Sequence, residues 1–132
     1  MGTRSTIKFY SEHGEDKPVL CVYQQYDGYI TGVGHELAKF LKDKKVINGY
    51  NSARGESMEN GYANGMGCLA AQYIASIKTK IGGVYCISED DGGEDYNYEV
   101  RMMDDKSLQI KVDDIFTGSP EELLEFNEEE LS

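Results

Sequence analysis

Two glycine-rich runs each lead straight into an amphipathic segment, and their residue types suit the holding of a ligand. The first is Asp27-Gly28-Tyr29-Ile30-Thr31-Gly32-Val33-Gly34, followed by His35-Glu36-Leu37-Ala38-Lys39-Phe40-Leu41. The second is Asn60-Gly61-Tyr62-Ala63-Asn64-Gly65-Met66-Gly67, followed by Cys68-Leu69-Ala70-Ala71-Gln72. A helix start offers unpaired N–H groups and a partial positive charge, and glycines let a ligand approach that backbone closely. Gly28, Gly32, Gly34, Asn64, Gly65 and Gly67 would then cradle a small anion or a nucleotide. Arg4 and Arg54 are candidate counter-charges, and Tyr26, Tyr29, Tyr50 and Tyr62 are candidate stacking surfaces. Neither run is a Walker A motif, since no Lys-Ser/Thr follows the glycines. Gly32-Val33-Gly34 also lacks the third glycine and the acidic partner of a dinucleotide fingerprint. The same residues equally serve tight turns that hold nothing.

Other chemistry is less well supplied. Cys68 falls in the first turn of the second helical segment, where the helix dipole favours a thiolate. A Cys68-dependent enzyme would need a base, and His35 is the reasonable one, because His13 sits in a polar turn. His35-Glu36-Leu37-Ala38-Lys39 begins like a zinc-binding H-E-x-x-H but has Lys39 at the second ligand position. The acidic run from Glu89 to Asp95 lacks the alternating ligand spacing of an EF-hand loop. The reading therefore calls for no metal and no cofactor.

The net charge of −11 opposes direct binding to nucleic acid or to an anionic membrane, because such binding rests on Lys and Arg neutralising phosphates. The same charge supports a rival reading: an acidic inhibitor that captures a partner protein or imitates nucleic acid. Cys21, Cys68 and Cys86 are odd in number and show no CxxC spacing, which reads as reduced thiols and a cytoplasmic setting. No apolar run approaches a membrane span, and no secretory signal opens the sequence. Met1-Gly2-Thr3-Arg4-Ser5-Thr6 fits the short N-myristoylation pattern, but the strand pattern that follows leaves Gly2 little free arm.

The elements that must position these residues follow from periodicity. Thr6–Tyr10 and Pro18–Tyr23 read as an antiparallel hairpin. Val33, Leu37, Phe40 and Leu41 predict a helix over about 33–43, with His35, Lys39 and Lys42 on its wet side. The stretch from Val46 to Gly65, rich in Asn and Gly, reads as a long loop that would close over a ligand. Met66, Leu69, Ala70, Tyr73, Ile74, Ile77 and Ile81 predict the main core helix over about 66–81, stopped by Gly82-Gly83. Cys68, Ala71 and Ala75 give that helix a small-residue back, which suggests contact with another element or a second subunit. Val84–Ser88, Tyr96–Met102 and Leu108–Val112 read as a three-stranded meander. Ser119-Pro120-Glu121-Glu122 carries a helix-start signature for a short helix over about 120–126, ahead of an acidic tail.

These segments predict an α+β fold. A mostly antiparallel sheet of about five strands, built from the hairpin and the meander, carries two main helices on one face and a short C-terminal helix. Residues 1–118 form the domain and residues 119–132 the short helix and tail.

Three stretches, Met1-Gly2-Thr3-Arg4-Ser5, Tyr23-Gln24-Gln25-Tyr26-Asp27-Gly28-Tyr29 and Asn64-Gly65-Met66-Gly67-Cys68-Leu69-Ala70-Ala71-Gln72, resemble a group of small proteins of phages, large DNA viruses and bacteria. The resemblance spans most of roughly residues 1–100 and implies a viral or mobile-element accessory protein. It brings no catalytic residues with it. In size the chain is also similar to phage proteins that sequester nucleotide immune signals as homo-oligomers. The expectation is a non-enzymatic, homo-oligomeric binding module for a small anionic ligand.

Overall fold

Alternating apolar residues build the sheet, because successive strand side chains point to opposite faces. The computed structural model describes residues 3–11, 17–47, 62–88, 95–105 and 107–126. Strand β1 (Ser5–Tyr10) pairs antiparallel with β2 (Pro18–Gln24), so that Ile7 faces Val22 and Phe9 faces Leu20. On its other side β1 pairs parallel with β6 (Tyr96–Met102), bringing Ile7 to Tyr98 and Phe9 to Val100. Strands β7 (Leu108–Val112) and β8 (Phe116–Gly118) continue from β6, and β5 (Val84–Ile87) closes the far edge beside β2. The order is β5-β2-β1-β6-β7-β8, antiparallel throughout except at β1–β6.

Helix α1 (His35–Leu41) and helix α2 (Gly65–Ile77) cover the face that carries Ile7, Phe9, Val22, Tyr98 and Val100. Leu37, Leu41, Met66, Leu69 and Tyr73 are fully buried there. Each fully buried aliphatic side chain of this kind stabilises the fold by roughly 1.5–3 kcal/mol before entropy is counted. Helix α3 (Pro120–Glu125) starts with the capping box read from sequence: Glu122 N donates to Ser119 Oγ, and Ser119 N donates to Glu122 Oε1. Leu123 is fully buried, and the Phe126 ring packs edge-on against Phe116.

The α+β class, the one-faced helix layer and the mostly antiparallel sheet agree with the sequence pattern. Four particulars differ. The sheet has six strands, and a separate parallel pair joins β3 (Lys45–Ile47) to β4 (Tyr62–Asn64). The ends of the expected long loop are thus strands, while 48–61 lie outside the described residues. The meander is β6-β7-β8, whereas β5 leaves it for the opposite edge of the sheet. Helix α2 stops at Ile77: Lys78 is extended, and Ile81, expected in the core, is fully exposed. The chain has to turn there to reach β2, and Gly82 and Gly83, both at positive φ, make that turn. Lys78 Nζ secures it by donating to the carbonyls of Gly82 and Val84 at 3.1 and 3.0 Å.

Candidate functional site

The run after β2 folds onto itself. Asp27 takes a left-handed φ of 58°, and the next residue, Gly28, donates its N–H to the Thr3 carbonyl at 2.8 Å. The Tyr98 hydroxyl, buried in the sheet, donates to the Gly28 carbonyl at 2.7 Å. Ile30–Gly34 then form a π-type turn that runs into α1. Its N–H groups are already used: Gly32 and Gly34 donate to Tyr29 O, and Val33 donates to Asp27 O. The glycines are also packed. A methyl on Gly28 would meet Ser5 Cβ at 2.8 Å and the Arg4 backbone at 2.9 Å. One on Gly34 would press on the Tyr98 ring at 3.2 Å, and one on Gly32 would collide with the Asp27 carbonyl. Close packing against backbone at Gly28 and Gly32, and against the Tyr98 and Ile30 side chains at Gly34, accounts for all three.

Around this turn the structure gathers Arg4, Gly28, Tyr29, Gly32 and Gly34. The Tyr29 hydroxyl donates to Asp27 Oδ1 at 3.2 Å, and the Arg4 main chain is bonded to Asp95 and Tyr96. Tyr26, half exposed, lines a small cavity of 120 Å³ with Gln24, Lys78 and Gly82.

The start of α2 is built differently. Strand β4 ends at Asn64, and Gly65 at φ 86° turns the chain directly into the helix, a conformation that suits glycine. Asn64 forms no side-chain cap, and no acidic residue occupies the first turn. A methyl built on Gly67 meets nothing within 4 Å. Tyr62 is half-buried beside this turn, and its carbonyl accepts from Gln72 Nε2 at 3.1 Å. The second set of residues, Tyr62, Asn64, Gly65 and Gly67, is therefore gathered around an open helix start. Arg54 and Tyr50 fall outside the described residues.

Cys68 is half-buried, and its sulfur lies 3.8 Å from Gln72 Nε2. His35 turns elsewhere: half-buried, not on a wet face, its Nε2 is 3.1 Å from the Phe126 carbonyl of the α3 end. Among the described residues no hydrogen bond joins Cys68 to His35. Among the described residues no group of three His, Cys, Asp or Glu side chains could hold a metal ion. No described helix is long and apolar enough to cross a membrane.

Sequence reasoning missed a polar chain through the core. Gln24 Nε2 donates to the Tyr73 hydroxyl at 3.0 Å, and that hydroxyl donates across a long 3.5 Å contact to Glu36 Oε1. Burial pushes the Tyr73 hydroxyl far above the ordinary tyrosine range, and the nearby Glu36 charge adds to this. Glu36 is exposed as a residue, yet its carboxyl group reaches the edge of the core. That partial burial raises its pKa; the Tyr73 hydrogen bond opposes the shift and Asp27 adds to it. The one available signal was Gln24, a polar residue on the apolar side of β2.

Two measurements separate these features. Gly32→Ala should destabilise the fold by about 1–3 kcal/mol, as forced overpacking does. Gly67→Ala should leave stability unchanged or raise it by up to about 1 kcal/mol, since alanine is the better helix former and has room there. Urea titration of both variants reads the contrast, and equal losses would contradict it. The raised Glu36 pKa has a definite sign. The folded state holds this proton more tightly, so stability falls as pH rises from the ordinary value of 4.5 through the raised one. Glu36→Gln, which keeps an oxygen for Tyr73, should flatten that part of the urea-midpoint curve; an unchanged slope would argue against the partial burial of the Glu36 carboxyl. Compared with known proteins, the chain matches no protein-family model, no curated protein and no solved structure.

Proposed function

We propose that the protein is a non-enzymatic binding module that holds a small anionic ligand, of nucleotide type, at the start of α2. The observation that carries this reading is the contrast between the two glycine junctions. The α1 junction spends its N–H groups and its glycines on internal contacts. The α2 junction has no side-chain cap, no acidic residue in its first turn, and open space in front of Gly67. An anion at a helix start gains about 0.3–1 kcal/mol from the dipole, and up to about 2 when partly buried. Tyr62, half-buried in β4 just before that turn, is the candidate surface for a ring. Within this reading the protein is a cytoplasmic accessory protein of the phage and large-DNA-virus type that its motifs resemble. It works as a homo-oligomer, which the exposure of Ala71 on the small-residue back of α2 supports.

Thermal unfolding in the presence of mono-, di- and cyclic nucleotides tests the reading. A ligand at a hundred times its Kd adds about 2.7 kcal/mol, which raises Tm by several degrees. Gly67→Val should abolish the rise while leaving the unliganded Tm in place. Constant Tm across the whole panel at millimolar ligand would refute the proposal.

A further inference from the structure

A second place on the molecule is shaped for a ligand, away from both glycine junctions. Phe40 and Lys44, at and just beyond the end of α1, face Gln72, Ala75 and Ser76 of α2 across a cleft of 330 Å³. That volume lies at the lower end of the roughly 300–1,000 Å³ typical of small-molecule sites. The Phe40 ring is fixed edge-on against the buried Tyr73, with centroids 5.2 Å apart, and Lys44 Nζ lies 4.4 Å from the centre of the Phe40 ring. A rigid aromatic wall, a methyl group and a cation therefore converge on one small space.

Gln72 supplies the polar feature. The residue is only 9% exposed, and its Oε1 is buried with no hydrogen-bond partner among the described residues. Its orientation is determined: Nε2 donates to the Tyr62 carbonyl, and turning the amide over would set oxygen against oxygen. A buried acceptor without a donor is costly, and Gln72 is one of the residues that line the cleft. Charge selects further. Lys39, Lys42, Lys44 and Lys45 fall within seven positions that hold a single acid, Asp43, on a chain of net charge −11. This is a local positive field on an acidic protein, and it draws anions.

We infer that the α1–α2 cleft binds a small aromatic anion carrying an N–H donor: the ring against Phe40 and Ala75, the anion toward Lys44, the N–H on Gln72 Oε1. NMR of the isotopically labelled full chain, titrated with 4-aminobenzoate and with benzoate, tests it. 4-Aminobenzoate at millimolar concentration should move the Ala75 methyl and Gln72 side-chain amide signals. Benzoate, which lacks the N–H, should bind about tenfold more weakly. Ala75→Leu, at an exposed position, should fill the cleft and remove the response; Lys44→Gln should weaken it if the first variant folds poorly. Unmoved Ala75 and Gln72 signals, equal affinity for the two compounds, or a response that survives both substitutions would overturn the inference.

Discussion

The buried ring of Tyr73 is the contact on which the helix layer depends. Its side chain is wholly inside the protein, with Phe9 of the central strand 5.7 Å from its centroid and Phe40 of α1 packed edge-on. One residue thus ties α2 to the sheet and α1 to α2. A hydroxyl in such a place must find a partner, because burying it unpaired costs more than the hydrogen bond contributes when made. Gln24 donates to it, and Glu36 accepts from it at the edge of the core. That requirement explains a glutamine on the inward face of β2 and an acid at the first turn of α1. It also sets the geometry outside the core, since fixing Phe40 against Tyr73 creates the wall of the α1–α2 cleft.

The parallel pairing of β1 with β6 is the second constraint. It places Tyr98 beneath the β2–α1 connection, where its hydroxyl grips the Gly28 carbonyl. The chain can pass this close because Gly28 and Gly34 carry no side chains. A glycine-rich run before a helix is thereby consumed by packing. The corresponding run before α2 meets no such demand at Gly67, and the two junctions part in character although their sequences look alike. Composition alone cannot tell an anion cradle from a tight crossing; what fills the space beside each glycine does.

Local signals in the sequence were legible and long-range ones were not. The Leu37–Leu41 and Leu69–Tyr73 stripes, the first hairpin and the Ser119–Glu122 capping box all depend on residues a few positions apart. The position of β5 depends on which strand edge was free to receive Val84–Ile87, and no local pattern encodes that choice. Once β5 must lie beside β2, the chain has to leave α2 after Ile77, so apolar spacing alone carried the expected helix too far, to Ile81. The three-residue strands β3 and β4 are too short for alternation to reveal them. At the candidate site, the spacing pointed to both glycine runs but could not show that Asp27 and Tyr29 carbonyls already occupy the first. The partnerless Gln72 oxygen was invisible for the same reason: a hydrogen bond not made leaves no mark in a sequence.

Backbone amide shifts during titration with inorganic phosphate compare the two helix starts most directly. Phosphate carries the charge without a ring, so it reads the N-terminal N–H groups alone. The expected result is a saturable shift at Gly67, with Gly32, Val33 and Gly34 unmoved because their N–H groups are committed to Asp27 and Tyr29. Saturable shifts at Gly32 to Gly34 with Gly67 silent would contradict the assignment of the open junction to α2.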